Sequence, residues 1–278
     1  MTDIEFALWT DDPKLAGVAA AAGVQNIGPD LEVTGKLERQ AGTSSLLSGH
    51  ALESLPMLRP VLPAGTLFVR TDPPSDQLLT QIDSMIAQGV TCFMFPMIRN
   101  LEQAQQLTAY VGNRAKVVLM IEHADVLDQV EQLAQLPDLH ALYIGVNDLA
   151  LSVGYASRFG PIADGLLDDL ASRLHRSGIR FGFLGAADFS STAENLPVPP
   201  DLALAEMVRL GARWIMFARS FNAAPETFAE RLSALRQRIQ FWREVAPAAL
   251  AMAHREFIAA CSQAESKARL ARTSGLQR

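Results

Sequence analysis

The sequence alternates short apolar runs, rich in β-forming residues, with longer segments of helical periodicity, and this alternation occurs eight times. Such an order is typical of βα units arranged around a parallel sheet. Eight consecutive units in 278 residues favour an α/β fold of the closed (β/α)8 type, a TIM barrel, over an open doubly wound sheet. No Gly-x-Gly-x-x-Gly run follows a strand to indicate a dinucleotide site. The predicted strands are Phe6–Trp9, Val24–Pro29, Thr66–Arg70, Thr91–Met97, Val117–Glu122, Ala141–Gly145, Arg180–Leu184 and Arg213–Ala218.

Residues that start and stop helices separate these strands. Asp12 precedes a proline at the first helical position, and Asn100 can cap a helix that begins at Leu101. Glycines stand where a left-handed residue would end a helix, at positions 23, 89, 178 and 211. The predicted helices include Asp12–Ala22, Ser75–Gln88, Leu101–Val111, Val126–Gln135, Ile162–Arg176, Leu202–Leu210 and Phe228–Val245.

Two regions exceed the minimal barrel. Residues 33–49 are too long for a tight βα loop, and we predict a lid or substrate loop there. We divide the rest into a barrel domain, residues 1–246, and additional C-terminal helices, residues 247–278, which begin at the helix-breaking Pro247. The amphipathic stretch 248–260 can pack on a neighbouring subunit or on its own barrel. The first alternative leads us to expect a homo-oligomer.

Composition excludes several classes of protein. The net charge of −6 and the mixing of acidic and basic residues leave no basic stripe for nucleic acid. No stretch is apolar enough for a membrane helix, and the N-terminal residues lack the features of a signal peptide. Cys92 and Cys261 lie far apart, which suits reduced thiols. We therefore expect a cytoplasmic protein with no nucleic-acid or membrane partner.

Acidic residues follow two neighbouring predicted strands. Glu122 ends strand 5 and Asp148 ends strand 6, and adjacent strands lie about 5 Å apart. Two carboxylates at that spacing can share a hard cation, and oxygen ligands favour Mg²⁺ or Mn²⁺ over Zn²⁺. Each acid alone is also consistent with a helix cap or a salt bridge. The pair predicts a divalent-metal site.

Arg70 ends predicted strand 3 and should project into the mouth of the barrel. Its planar guanidinium can clamp a carboxylate or an enolate oxygen. A structural ion pair with Asp30, Glu32 or Asp72 is an alternative role for Arg70. The two roles are compatible, because an arginine can be oriented by an acid while it binds substrate. Asp30 and Asn147, also at strand ends, are further candidates for substrate binding.

Residues 118–154, VLMIEHADVLDQVEQLAQLPDLHALYIGVNDLALSVG, resemble the metal-binding core of the HpcH/HpaI aldolase and citrate lyase β-subunit superfamily. Residues 89–101, GVTCFMFPMIRNL, resemble its fourth strand, and Val69-Arg70 is similar to its substrate arginine. The resemblance implies a metal-dependent class II aldolase or lyase acting on a pyruvate-like enolate. It implies Glu122 and Asp148 as metal ligands and Arg70 as the contact to the 2-oxo acid.

The sequence departs from that family at the expected proton-transfer group. Many of its aldolases carry Glu-His after strand 2, whereas Glu32 is followed by Val33. Met120 replaces a glutamine often found two residues before the metal-binding glutamate. His50, His123, Glu32 and a metal-bound water are alternative bases. His123 could equally cap the next helix, and His50 could be a capping or exposed residue.

These residues predict a metal-dependent carbon–carbon lyase or aldolase that works through a pyruvate- or oxaloacetate-type enolate of a small 2-oxo acid. A Schiff-base mechanism would need a buried lysine at a strand end, and the sequence offers none. One alternative is a condensing enzyme, a synthase, with a different acceptor. Another is a protein that binds metal and 2-oxo acid but has lost catalysis, which the missing Glu-His pair favours.

Overall fold

A computed structural model of the chain describes residues 4–34, 50–188, 196–222 and 224–275, so most of the predicted lid segment lies outside the described residues. The strands are β1 (Glu5–Trp9), β2 (Asn26–Gly28), β3 (Phe68–Arg70), β4 (Cys92–Phe95), β5 (Lys116–Ile121), β6 (Leu139–Ile144), β7 (Arg180–Phe183), β8 (Gly185–Ala186) and β9 (Trp214–Phe217). They pair in parallel in two sheets, ordered β2-β1-β9-β8 and β3-β4-β5-β6-β7.

Two seams join the sheets into one ring. Backbone bridges from Ile27 to Leu67 and from Asp30 to Arg70 connect β2 with β3. On the other side β7 pairs with β6 and continues past Leu184 into β8, which pairs with β9. Because β7 and β8 occupy one position in the ring, the predicted (β/α)8 barrel is confirmed, and each predicted run contains a strand.

The helices lie between successive strands and cover the ring. They are α1 (Pro13–Ala21), α2 (Leu55–Leu58), α3 (Asp76–Ala87), α4 (Leu101–Val111), α5 (Val130–Ala134), α6 (Val146–Val153), α7 (Gly160–Ala163), α8 (Leu166–Ser177), α9 (Pro200–Arg209), α10 (Phe228–Glu244) and α11 (Pro247–Gly275). The predicted caps are present, since Asp12 accepts from the Lys14 N–H and Asn100 from the Gln103 N–H. None of the described helices combines the length and apolarity needed to cross a membrane.

Apolar side chains form two layers because successive residues of a strand point to opposite faces. Phe68, Met94, Met120 and Trp214 belong to a cluster inside the ring, and a larger cluster fills the space between strands and helices. The inward-facing series continues upward from Phe68 to Arg70 and from Met120 to Glu122. The strand alternation that builds the core therefore also aims the polar residues into the mouth.

The C-terminal helix α11 packs on its own barrel. Ala253, Phe257, Cys261 and Glu265 recur every fourth residue, are buried, and face α7 and α9. This buried face of α11 therefore contacts the same chain, as in the second of the two alternatives. Packing of α11 on a neighbouring subunit, and with it the homo-oligomer, stays a prediction.

Glycines permit the close approach of the strands at the two seams. A Cβ at Gly28 would overlap the Phe68 carbonyl, and a Cβ at Gly182 would overlap the Trp214 carbonyl. Both obstacles are backbone atoms, which cannot rotate away as a side chain can. Closure of the ring thus depends on the absence of a side chain at these positions.

A cluster of charges closes the opposite end of the barrel, at the strand starts. The Glu5 carboxylate contacts Lys116 at 3.2 Å, His140 at 2.9 Å, Arg180 at 3.1 Å and the side-chain amide of Asn26 at 3.2 Å. Burial alone would raise the pKa of Glu5, but these hydrogen bonds and positive charges outweigh it and lower the pKa to about 2.

We predict that Gly182→Ala lowers the free energy of unfolding by about 3 kcal/mol, because the new methyl group must displace the β9 backbone. Gly17→Ala is the matched control, since a Cβ at that helical position meets nothing within 4 Å. It should be neutral or stabilising by about 0.5 kcal/mol. Urea denaturation of both variants measures the difference, and equal midpoints would contradict the role of Gly182 in closure.

We also predict that Glu5→Gln lowers the free energy of unfolding by about 2 kcal/mol at neutral pH. The folded pKa lies below the ordinary value of 4.5, so the stabilisation is present above pH 4.5 and is lost as the pH falls towards 2. The difference between wild type and variant should shrink over that interval. Denaturation at several pH values tests this, with the exposed Glu53→Gln as a control that should stay close to wild type throughout.

Candidate active site

A cavity of about 330 Å³ opens at the carboxyl ends of the strands. This is the end at which barrel enzymes carry their catalytic groups. The residues that line it include Trp9, Arg70, Met120, Glu122, Tyr143, Gly145, Asn147, Asp148, Arg158, Leu184, Met216 and Arg219.

Arg70 is fixed at the cavity wall by two buried acids. Its Nε and Nη2 donate to the two carboxylate oxygens of Asp30, each at 2.7 Å, and Nη2 lies 3.2 Å from Glu32. The Trp9 ring stacks on the guanidinium, with its centroid 4.1 Å from Cζ. Arg70 therefore forms the predicted ion pair and also lies at the mouth of the barrel.

Asp72, the third acid considered for Arg70, has a different role. Its carboxylate accepts hydrogen bonds from the backbone N–H groups of Val33 and Thr34. Asp30 and Glu32, in turn, do not line the cavity themselves. Both acids contact the guanidinium of Arg70 and thereby hold it in place.

Glu122 follows β5 and is only 2% exposed. Its Oε1 accepts a hydrogen bond of 2.7 Å from the Met97 N–H, and Met97 adopts a left-handed φ of 56° that is costly for a non-glycine residue. Its Oε2 would be only 2.4 Å from a Cβ at Gly145. The strained backbone of Met97 on one side and the absence of a side chain at Gly145 on the other therefore define the position of the Glu122 carboxylate.

Asp148 lies on the first turn of α6, which begins directly after β6. The expectation that it ends a strand was wrong in this detail: β6 stops at Ile144, and the helix presents both Asn147 and Asp148 to the cavity. A helix N-terminus also favours a negatively charged side chain in its first turn.

The electrostatics of this pair fit a divalent cation. Burial, together with the negative charges of Glu32 and Asp148, raises the pKa of Glu122 to about 8, against the opposing effect of Arg70. Two buried carboxylates in one cavity repel each other, and a hard cation between them would favour the ionised form of both. The donor set therefore suits Mg²⁺ or Mn²⁺.

His50 lies outside the cavity. Its Nδ1 accepts a 2.9 Å hydrogen bond from the Asp30 N–H, and its Nε2 is 3.5 Å from the Asp11 carboxylate. Through Asp30 it contacts the support of Arg70. This arrangement makes His50 a neighbour of the site rather than part of the cavity wall.

His123 caps the turn that follows β5. Its Nδ1 accepts from the Asp125 N–H at 3.2 Å, and its Nε2 contacts the guanidinium of Arg99. Burial and the charge of Arg99 lower its pKa. Of the two alternatives that the sequence left open, capping is the one present.

Several lining residues were not singled out as site residues from the sequence, among them Tyr143, Trp9 and Arg158. Tyr143 faces the cavity, donates its hydroxyl hydrogen bond to the Leu184 carbonyl, and has its pKa raised by burial. The alternation along β6 could have found it, because Tyr143 is two residues from Gly145. Trp9 is the last residue of β1. Arg158 lies between α6 and α7, where no periodic pattern indicates direction.

Comparisons with known proteins find one matching family and several similar folds. A family model described as HpcH/HpaI aldolase/citrate lyase matches residues 9–161, more than half of the chain. A search of curated proteins found no match.

Several solved structures share the fold. An HpcH/HpaI aldolase/citrate lyase family protein from Burkholderia cenocepacia is 15% identical, with a TM-score of 0.56 over 87% of this chain and 95% of that chain. Protein CitE from Mycobacterium tuberculosis, with magnesium and acetoacetate, is 14% identical, with a TM-score of 0.58 over 91% and 98%. A citrate lyase β subunit from M. tuberculosis, with oxaloacetate and magnesium, is 16% identical, with a TM-score of 0.54 over 85% and 96%.

We predict that Gly145→Ala weakens Mg²⁺ binding at least about tenfold, because the new methyl group displaces the Glu122 carboxylate. Isothermal titration calorimetry with Mg²⁺ or Mn²⁺ measures the effect. Gly17→Ala should bind metal as wild type does. Unchanged affinity in Gly145→Ala would exclude Glu122 as a ligand in its observed position.

Proposed function

Because this chain belongs to the HpcH/HpaI aldolase/citrate lyase family, we propose that it is a metal-dependent carbon–carbon lyase or aldolase acting through the enolate of a small 2-oxo acid. One observation carries the proposal: Arg70, Glu122 and Asp148 line a single cavity at the catalytic end of the barrel. Fold alone would not support it, because barrels host many reactions.

Glu122 and Asp148 are the proposed metal ligands, with Mg²⁺ or Mn²⁺ as the cation. A bound divalent cation would act as a Lewis acid that stabilises the negative charge of the enolate. The backbone N–H of Met97 holds Glu122 in place, and α6 directs Asp148 towards it. Asn147, on the same turn, can donate from its side-chain amide to a substrate carboxylate.

Arg70 is the proposed contact to the 2-oxo acid and its enolate. Asp30 holds two of its nitrogens, so the orientation of the fork is set before substrate arrives. The remaining Nη1 lies 3.9 Å from the thioether sulfur of Met120. A substrate oxygen would be a much stronger acceptor than that sulfur, and the Trp9 ring keeps water from one face of the guanidinium.

The group that moves the proton is a separate question. Among the described residues no histidine lines the cavity, and Glu32 lies behind Arg70. This observation favours a second candidate, a protein that binds metal and a 2-oxo acid without turnover. A synthase would use the same residues in the forming direction, since enolate stabilisation serves both directions.

We predict that the wild-type protein, with Mg²⁺ or Mn²⁺, exchanges the methyl protons of pyruvate for deuterium. Glu122→Gln should reduce the rate at least about hundredfold, because it removes an anionic ligand. Arg70→Lys should reduce it about tenfold, because a point charge replaces the oriented fork. Proton NMR in heavy water follows the exchange directly.

The exposed Glu102→Gln makes the same chemical change at a residue that does not line the cavity and should retain the wild-type rate. Binding of metal and pyruvate without exchange in any of these proteins would overturn the enzymatic proposal in favour of the binding protein. Exchange that survives Glu122→Gln would remove the proposed ligand from the reaction.

A further inference from the structure

A second cavity lies at the opposite end of the barrel from the candidate active site. Its volume is about 430 Å³, larger than that of the cavity at the mouth. Three of the residues that line it, Ile4, Ile179 and Arg213, directly precede β1, β7 and β9. The second cavity therefore opens at the strand starts, and its described lining includes none of the residues assigned to the proposed reaction.

Buried apolar side chains line much of the second cavity. They belong to the outer core layer between strands and helices, and they are Ile4, Phe181, Met207, Ala212 and Ile215. Gly178 and Gly211, which follow α8 and α9 with left-handed φ, complete this wall. A Cβ at Gly178 would meet no atom within 4 Å. Such a wall favours the burial of a hydrocarbon group.

The charged groups at the second cavity are basic. Arg213 donates from Nη2 to the Gly178 carbonyl at 2.9 Å, which holds its guanidinium beside the cavity. Arg243, near the end of α10, is exposed and forms no hydrogen bond or ion pair with another described residue. The exposed ring of His175 can donate a hydrogen bond to an anion. No carboxylate side chain is among the described lining residues, so the local charge favours an anionic ligand.

The apolar surface continues beyond the second cavity along α10. A neighbouring cavity of about 40 Å³ shares Ile4 and Arg243 with it and is also lined by Phe6 and Ile239. Arg236 lines this smaller cavity too, with its Cζ 5.5 Å from the centroid of the Phe6 ring. Positions 236 and 243 are seven residues apart and so share one face of the helix. Apolar side chains and guanidinium groups therefore lie side by side over both cavities.

We propose that the second cavity binds a small amphipathic carboxylate, whose apolar chain lies against the buried wall and whose carboxylate contacts Arg243 and Arg213. A guanidinium binds a carboxylate with good geometry, and apolar surface accepts the chain. A cationic amphiphile would be repelled by the same arginines, and a purely polar anion would leave the apolar wall unmatched. The inference is independent of the proposed function, because the two sites share no lining residue.

A series of simple acids tests both parts of the ligand. We expect titration calorimetry at constant ionic strength to show that affinity rises from butanoate to hexanoate to octanoate, by about tenfold for each two added carbons. Octanoate should also bind at least about tenfold more tightly than octylammonium, which has the same chain and the opposite charge.

Two variants locate the site. Arg243→Gln should weaken octanoate binding about tenfold, because it removes an exposed cation that contacts the carboxylate. Arg255→Gln is its control, since it removes one positive charge from an exposed position on α11. Val208→Phe places a ring in the second cavity from a partly exposed position on α9 and should weaken binding at least about tenfold. Val61→Phe, at an exposed position outside the cavity, should bind octanoate as wild type does.

Affinity that does not depend on chain length, or equal binding of octanoate and octylammonium, would overturn the proposal. Arg219→Gln removes a cation at the mouth of the barrel. Octanoate binding that is lost in Arg219→Gln but retained in Arg243→Gln would assign the carboxylate to the mouth and also overturn it. Deuterium exchange of pyruvate tests the proposed reaction separately, so that failure of one proposal leaves the other standing.

Discussion

The ion pair between Arg70 and the acids after β2 is the interaction on which both the barrel and its site depend. Asp30 and Arg70 pair through their backbones at the seam between the two sheets, and their side chains pair at two points across it. Burial alone would lower the pKa of Arg70, but Asp30 and Glu32 outweigh it and raise the pKa. Loss of either partner would leave a buried charge unpaired, which is strongly destabilising. This pair therefore fixes the register of β2 and β3, which are connected by isolated backbone bridges. The same restraint orients the guanidinium towards the cavity.

The two ends of the barrel divide stability from chemistry. At the strand starts, Glu5 is surrounded by cationic partners that lower its pKa well below the ordinary value. Its ionised form therefore stabilises the fold at neutral pH. At the strand ends, Glu122 is held near other acids and its pKa is raised, so its ionised form is costly until a cation is bound. Met97 and Leu184, at this same end, adopt positive φ. The polar arrangement that an active site needs is therefore supported by the rest of the ring.

Much of the fold could be predicted from the sequence because period-two strands, period-3.6 helices and their terminal glycines are local signals. The inward series from Phe68 to Arg70 and from Met120 to Glu122 follows from the same alternation. The histidines could not be assigned in this way. Whether His123 caps a turn or faces the mouth depends on Arg99, 24 residues away, and the position of His50 depends on Asp30. Arg158 gave no signal, because the loop before it is held by Glu265 of α11, more than 100 positions later in the chain.

That distant contact connects the C-terminal helix with the loop beside the cavity. Phe257 and Cys261 seal the outer layer of the barrel, and one turn further Glu265 reaches the loop beside the cavity. Backbone N–H groups of a loop need partners when they are buried, and a carboxylate that accepts from two of them restricts the loop to few conformations. A helix beyond a complete barrel thereby shapes the rim of the cavity. The loop beside Arg158 thus depends on α11, whereas Arg70, Glu122 and Asp148 are carried by the strand ends and by α6.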